Sequence, residues 1–261
     1  MRLLDTSTLR LVSRFDEGIP PYAILSHTWG RDEDEISFQD LQAITSSRLR
    51  QKDGLFAHPL TKRAGFAKIR ESCRLAKSEG YEFLWVDTCC IDKTSSAELS
   101  EAINSMFRWY RAASTCYAFL TDVQSYLAAT ADVAQAIREC SPLAEQVVGS
   151  IRSSRWFTRG WTLQELVAPL DVHFYSRDWI LLGTKLGRYS RPGSDAGTDS
   201  RFPDLLSELT GIDYAVLTGT ELLEDVSIAQ RMKWAATRRT TRVEDIAYCL
   251  MGIFNVNMPL L

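Results

Sequence analysis

Two tryptophans and one carboxylate lie close together in residues 154–166, within a short amphipathic segment. Trp161 and Glu165 are four residues apart, so on a helix they lie on the same face. An indole beside a carboxylate suits a flat, cationic or sugar-bearing ligand. The same spacing also suits a helix that packs its tryptophan into a core and leaves its glutamate partly exposed. The segment alone leaves both interpretations open.

Two further segments carry small polar side chains directly after predicted strands. The first comprises Ser26, His27, Thr28, Trp29 and Gly30. The second covers residues 87–92 and includes Asp87, Thr88, Cys89, Cys90 and Asp92. Ligands of open parallel sheets lie outside the carboxyl ends of the strands, so both segments are candidate binding loops. Ser, Thr, Asp and Gly are also ordinary turn residues, and plain turns are the alternative.

Other chemistries have less support in the sequence. The phosphate-binding motifs G-x-G-x-x-G and G-x-x-x-x-G-K-[ST] do not occur. The histidines at 27, 58 and 173 are isolated and no C-x-x-C is present, so we expect no metal site. If their loops meet, Cys89 or Cys90 forms a nucleophile–base pair with His27. We expect instead that both cysteines serve only as small packing residues. We expect the acidic run 32–35 and the basic run 238–242 to be solvated, the latter with a lesser chance of contacting phosphate.

The composition is that of an ordinary globular protein, with 45% hydrophobic and 24% charged residues. The net charge of −3 gives no reason to expect nucleic acid as a partner. The chain shows no signal-peptide pattern and no apolar run near the ~20 residues of a membrane span. Six cysteines without a paired spacing then predict a cytoplasmic protein with reduced thiols.

Alternating strand and helix patterns predict the fold class. Four apolar runs rich in aromatic and branched residues predict strands at 22–26, 83–87, 115–120 and 171–175. Helices are predicted around residues 66–76 before Gly80, after the capping box at Ser95 and Glu98, and over 161–168 before Pro169. This order predicts an α/β protein with a mainly parallel sheet flanked by helices.

The predicted organisation has three parts. Residues 1–186 form the α/β core, the Gly/Ser-rich residues 187–200 form a mobile loop, and residues 201–261 form a helical extension packed on the core. Helices are predicted over 227–236 and, opened by Thr241 and Glu244, along 243–250. The apolar residues 251–261 suggest a domain cut from a longer protein.

Three motifs in order strongly resemble the heterokaryon incompatibility (HET) domain of filamentous fungi. They are residues 22–30 (YAILSHTWG), 85–92 (WVDTCCID) and 159–166 (RGWTLQEL), and residues 230–248 resemble the end of that domain. HET members usually continue beyond the last residues present here. The resemblance implies a role in self/non-self recognition and programmed cell death.

A more distant resemblance links residues 154–166 to the S…W-C-L-x-E-L segment of Toll/interleukin-1 receptor-like (TIR) domains, although Thr162 stands at the usual cysteine. This resemblance implies a flavodoxin-like sheet and NAD as a substrate, with Glu165 as the catalytic residue. Nicotinamide leaves NAD as a neutral molecule, so one carboxylate that stabilises oxocarbenium charge suffices. Trp161 and Trp29 would provide the surfaces that contact the nicotinamide or adenine rings. The backbone amides of residues 26–30 would bind the diphosphate.

The functional prediction is therefore an NAD nucleosidase that needs no cofactor and acts in cell death. The predicted substrate-binding residues are Ser26, His27, Thr28, Trp29, Gly30, Asp87, Thr88, Cys89, Asp92 and Trp161. The alternative is a non-enzymatic adaptor that self-associates. Self-association and an upstream sensor or downstream domains are the expected protein partners in either case.

Overall fold

The computed structural model describes residues 1–14, 18–46, 58–125, 142–189, 197–198 and 201–258. They form two compact units. The first unit comprises described residues between 1 and 25 and between 29 and 103, and the second comprises residues 26–28 and described residues from 104 onward.

The first unit contains four strands, in the order β2-β1-β4-β3. They are β1 (Arg2–Asp5), β2 (Leu11–Ser13), β3 (Tyr22–His27) and β4 (Phe83–Trp85), and the last two residues of β3 belong to the second unit. Strand β1 pairs antiparallel with β2 and β4, whereas β3 and β4 are parallel. The helices are α1 (Phe38–Ser46), a 3₁₀ turn (Pro59–Lys62), α2 (Ala64–Ser78), α3 (Asp87–Cys90) and the start of α4 (Ser96–Ala112).

The second unit contains the rest of α4 and three strands in the order β5-β6-β7. They are β5 (Thr115–Leu120), β6 (Val172–Ser176) and β7 (Leu181–Thr184), with β5 and β6 parallel and β6 and β7 antiparallel. Between β5 and β6 lie α5 (Pro142–Arg152), a 3₁₀ turn (Arg155–Thr158) and α6 (Thr162–Val167). A hairpin of β8 (Arg188–Tyr189) and β9 (Gly197–Thr198) follows. The last elements are α7 (Arg201–Thr210), α8 (Tyr214–Leu217), a 3₁₀ turn (Leu223–Asp225), α9 (Ile228–Ala235) and α10 (Asp245–Tyr248).

An aromatic cluster fills the core of the second unit. Trp156 is 1% exposed, and its ring lies edge-on to Phe157 and Phe174 at centroid distances of 5.1 and 5.4 Å. Phe202, from α7, contacts Phe174 at 5.2 Å. These contacts attach the 3₁₀ turn before α6 to strand β6, and they fix the segment that carries Glu165.

The α/β class and the four predicted strands are confirmed, apart from the end of the second strand. Strand β4 ends at Trp85, and Asp87 begins α3 instead of ending a strand, with the extended Val86 as the N-cap of that helix. The expectation of a mainly parallel sheet is wrong, since only β3/β4 and β5/β6 are parallel among the described strand pairs. Strands β1, β2 and β7 have three or four residues each, too few for a periodicity to predict them.

The predicted helices agree with α2, α4, α6 and α9. Gly80 adopts a φ of 90° just beyond α2, and the Ser95 hydroxyl accepts the Glu98 N–H at the start of α4. The helix predicted along residues 243–250 is confirmed only in part. Only the four residues of α10 are helical, and Thr241 instead accepts a hydrogen bond from Arg159 at 2.7 Å. Val243 and Ile246 are 79% and 59% exposed.

The predicted loop 187–200 contains β8 and β9, while residues 190–196 and 199–200 lie outside the described residues. The residues 259–261 on which the expectation of a truncated domain partly rested also lie outside them. The boundary between a core at 1–186 and an extension at 201–261 stays a prediction. None of the described helices is long and apolar enough to span a membrane.

Candidate functional site

Glu165 lies on a short helix that is buried almost throughout. Five of the six residues of α6 are buried, and Glu165 itself is only 8% exposed. Ser154 caps the preceding 3₁₀ turn by accepting the Trp156 N–H, and α6 ends just before Pro169. The expectation of a partly exposed glutamate is therefore wrong, because α6 is packed inside the second unit and the Glu165 side chain accepts a hydrogen bond there.

A hydrogen-bonded network connects the first and third sequence motifs. The Ser26 hydroxyl, at the end of β3, donates a short hydrogen bond to Oε2 of Glu165. The Ser26 hydroxyl oxygen in turn accepts a hydrogen bond from the indole N–H of Trp156 at 2.8 Å. Ser26 is fully buried, so these two hydrogen bonds satisfy its hydroxyl without water. We call Ser26, Trp156 and Glu165 the serine–glutamate network.

The tryptophan in this network is Trp156 and not Trp161, which the helical spacing predicts. Trp161 is half-buried at the first turn of α6. Trp156 lies in the same segment, residues 154–166, but nine residues before Glu165, a spacing that no helical periodicity connects. A 3₁₀ turn followed by a short helix brings the two side chains to one place.

Arg238 supplies positive charge beside the network. Its Nη1 donates to the Thr162 hydroxyl at 2.8 Å and to the Arg159 carbonyl at 3.0 Å. Burial lowers the pKa of Arg238 to about 10, and the charge of Glu165 opposes that fall. Arg238 therefore stays protonated at neutral pH. The basic run 238–242 is not a simple solvated entry to a helix, because Arg238 is partly buried and its guanidinium donates to Thr162 of α6.

Cys116 on β5 completes the surroundings of Glu165. Its thiol lies 3.9 Å from the Glu165 carbonyl. Burial raises the pKa of Cys116, and the charge of Glu165 raises it further. Cys116 therefore remains a neutral thiol that packs against the backbone of α6.

The rest of the first loop is divided between the two units. His27 and Thr28 are each 6% exposed in the second unit, and the Thr28 hydroxyl lies 3.3 Å from that of Thr121. In the first unit, Trp29 is 40% exposed and its indole N–H donates to Asp87 at 2.7 Å. The Gly30 amide donates to Glu35 at 2.9 Å.

A charged cluster in the first unit holds Trp29 and Asp87. The Lys93 amine lies 3.6 Å from the centroid of the Trp29 ring. Burial raises the pKa of Asp87, and Lys93 and the Trp29 hydrogen bond oppose that rise. Glu35 forms an almost buried ion pair with Lys68 at 2.7 Å, so the acidic run 32–35 is not wholly solvated.

The remaining candidate residues of the second loop are either buried in α3 or hydrogen-bonded within the first unit. Thr88, Cys89 and Cys90 are buried in α3. Asp92 accepts hydrogen bonds from Thr94 and from Gln39 at 2.7 Å, and these bonds lower its pKa. The five described cysteines, at 73, 89, 90, 116 and 249, are free thiols. Among the described residues, no group of three or more His, Cys, Asp or Glu side chains is arranged to hold a metal ion.

The structure thus joins Ser26 to Glu165 and, separately, Trp29 to Asp87. A single pocket lined by both loops, with Glu165 at its edge, stays a prediction. Cavities of about 400 and 790 Å³ lie among the described residues of the second unit. Neither is lined by Ser26 or Glu165.

These elements and contacts define a mixed α/β protein in which a strand-end serine binds a glutamate from a short buried helix. The family model described as heterokaryon incompatibility protein (HET) matches residues 22–165. The chain therefore belongs to the HET family. The match runs from the first residue of β3 to Glu165.

A relative in Podospora anserina is similar to the whole chain. This chain is 43% identical over 265 residues to vegetative incompatibility protein HET-E-1. The alignment covers 100% of this chain and 17% of the relative, so the chain spans about a sixth of that protein. No solved structure matches the chain.

Proposed function

We propose that this HET domain acts in heterokaryon incompatibility, where fungal cells of different genotype fuse and the mixed cell dies. Membership of the HET family and the similarity to HET-E-1 over the full chain support this role. In a longer protein the domain would act downstream of a sensor, since it spans only 17% of that relative.

We further propose that the domain kills by cleaving the N-glycosidic bond of NAD, with Glu165 as the catalytic residue. The observation that carries this proposal is the hydrogen bond between Ser26 and Glu165. It joins two motifs that are far apart in sequence around one buried carboxylate. The positive charge of Arg238 lies near that carboxylate and is attracted to it.

The reaction needs little from the protein beyond one negative charge. The bond between C1′ of the ribose and the nicotinamide nitrogen breaks, and its electron pair leaves with the nicotinamide. The Glu165 carboxylate stabilises the oxocarbenium charge that develops on the ribose. Water then bonds to C1′ and releases its proton, which yields ADP-ribose. A TIR-like arrangement of the sheet is part of this proposal.

Access is the main requirement that the structure places on this proposal. Glu165 is 8% exposed and accepts a hydrogen bond from Ser26, so NAD reaches it only if part of the serine–glutamate network opens. Assembly of several copies is one way to supply that opening, because binding energy between copies offsets the cost.

The second candidate function is a non-enzymatic adaptor that self-associates and recruits a partner. The favouring observation is that Glu165 already has a buried protein partner. A carboxylate held in this way stabilises the fold without any substrate.

Incubation of the purified chain with NAD distinguishes the two functions. Nicotinamide release is measured for the parent, for Glu165→Gln, and for Glu145→Gln as an exposed glutamate of α5 in the same unit. NAD cleavage predicts release by the parent and Glu145→Gln and a loss of about 10²–10³-fold in Glu165→Gln. Each protein is also tested as a forced oligomer. Release that persists in folded Glu165→Gln, or is absent from monomer and oligomer alike, favours the adaptor.

A further inference from the structure

Helix α9 turns an apolar stripe toward solvent. Ile228 and Met232, one helical turn apart, are 65% and 49% exposed. Its inward side carries Trp234, which is 2% exposed, and Arg231, which donates to the Ile253 carbonyl at 2.8 Å. Leu222, before the helix, is 54% exposed, and Ile246, after it, is 59% exposed. Clustered exposed apolar side chains of this size mark interaction surfaces.

A basic groove adjoins the C-terminal end of this stripe. It has a volume of about 790 Å³, and Met232, Ala236, Ile246 and Leu250 are among its apolar lining residues. The charged residues that line it are all cations, namely Lys233, Arg238 and Arg239. Lys233 and Arg239 are exposed at its edge, while Arg238 lies deeper, against α6.

The opposite end of the stripe is acidic. Glu221, Glu224 and Asp225 are exposed and lie just before Ser227, which caps α9. The eight residues of α9 span roughly 12 Å, and this length, with the apolar stripe along it, separates the acidic residues before the helix from the basic groove at its end. We call this surface, from residue 221 to residue 246, the α9 face.

We propose that the α9 face binds the α9 face of a second copy of this chain, in an antiparallel pair related by a two-fold axis. A two-fold interface requires a self-complementary surface. Reversing one copy places its acidic end against the basic groove of the other and sets the two apolar stripes against each other. This inference goes beyond the proposed function and does not depend on the role of Glu165.

Charge and exposure favour a second copy over other occupants. A small ligand in the groove leaves Ile228 and Leu222 uncovered. A head-to-tail contact uses the acidic end of one copy and the groove of the next, and it leaves the stripe between them exposed. The antiparallel pair covers both charged ends and the stripe at once.

The test is the solution mass of the 261-residue chain as a function of concentration, by light scattering and sedimentation in reducing buffer. The proposal predicts a rise from 29.5 kDa toward twice that value over about 1–300 µM, typical of a small interface. A mass that stays at one chain, or that climbs past two chains as a ladder, overturns it.

Charge reversals locate the interface. The basic-end variant carries Lys233→Glu and Arg239→Glu, and the acidic-end variant carries Glu221→Lys and Glu224→Lys. Each alone is expected to weaken the dimer at least about tenfold, because like charges then meet at both ends. An equimolar mixture is expected to dimerise again, since each end of the mixed pair now joins opposite charges.

Two further variants complete the experiment. Arg10→Glu with Lys77→Glu reverses two exposed cations of the first unit and is expected to dimerise like the parent. Ile228→Asp changes one exposed side chain of the stripe and is expected to weaken the dimer with its circular dichroism unchanged. Reversal variants that dimerise like the parent, or folded ones whose mixture stays monomeric, overturn the proposal.

Discussion

The Ser26 hydroxyl lies between two side chains that are more than a hundred positions away in the sequence. An indole N–H can only donate, so the oxygen of Ser26 accepts from Trp156 and its proton is directed to Glu165. This order of donors leaves Glu165 as an acceptor, which suits an ionised carboxylate. Arg238 supplies the positive charge nearby.

We expect Ser26→Ala to destabilise the protein by about 1–3 kcal/mol, because it leaves the buried Trp156 N–H without its acceptor. Glu165→Gln keeps an acceptor for Ser26 but removes the negative charge, so we expect the free energy of unfolding to fall by about 1–2 kcal/mol. Urea unfolding measures both. The control is Ser153→Ala. The exposed Ser153 hydroxyl donates a hydrogen bond to the Gly149 carbonyl, and we expect its removal to change the free energy of unfolding by no more than about 0.5 kcal/mol. Equal effects of Ser26→Ala and Ser153→Ala would contradict the network.

The buried thiols give a second prediction at the residue scale. Cys89 and Cys116 are 0% exposed, and both have a raised pKa, for Cys89 chiefly through its hydrogen bond with Cys90 and for Cys116 chiefly through burial. We expect neither to be alkylated by iodoacetamide at pH 8 in the folded protein, and both to react in urea. Site-resolved mass spectrometry measures this. Rapid alkylation of Cys89 in the native state would instead support a reactive thiol.

At the scale of elements, a buried lysine holds the C-terminal end of α6. Lys185 follows β7, and its side-chain amine donates to the Leu166 carbonyl at 2.9 Å and to the Pro169 carbonyl at 2.5 Å. Lys185 is 2% exposed. It satisfies carbonyls that a helix end leaves unpaired, and it ties α6 to the end of the sheet.

This contact predicts a pH dependence of stability. Burial lowers the pKa of Lys185 to about 8, whereas in the unfolded chain it is near 10.5. Between these values the unfolded state binds the extra proton, so the contribution of Lys185 to the free energy of unfolding rises with pH, by at most about 1.4 kcal/mol per unit. We expect the stability difference between parent and Lys185→Met to rise from pH 8 to 10.5. A difference that is flat over this range would show that Lys185 does not titrate there.

At the scale of the whole molecule, the third motif is attached to the C-terminal residues of the second unit. The Gly160 amide donates to the Arg239 carbonyl at 2.8 Å, and the Arg239 amide donates to the Thr158 carbonyl at 2.7 Å. A Cβ atom on Gly160 would lie 2.5 Å from Thr240 and 3.1 Å from the Cys249 thiol. The close approach of these two segments therefore needs glycine at position 160.

We expect Gly160→Ala to destabilise the protein by about 1–3 kcal/mol, since the neighbouring segment must shift. Gly149→Ala is the matched control. A Cβ there has no atom within 4 Å and the position is helical, so a gain of about 0.5–1 kcal/mol is expected. Thermal unfolding of both variants measures the difference. A neutral Gly160→Ala would mean that residues 239–249 adapt freely.

The sequence by itself determined the parts of this protein that rest on local patterns. The apolar runs predicted β3, β5 and β6, helical periodicity and capping residues predicted α2, α4 and α9, and three motifs indicated the HET family. Glu165 and Ser26 were also selected from sequence. These features depend on residues within one element, where side-chain spacing and backbone geometry are directly linked.

Only the tertiary structure decided which of these residues meet. The short strands β1, β2 and β7 carry too little pattern, so the mixed pairing of the sheet depends on contacts across the chain. Trp156 and Arg238 join the surroundings of Glu165 from positions that no periodicity relates to it. Burial of Glu165 follows in the same way, because the neighbours that remove water from a short helix come from distant segments.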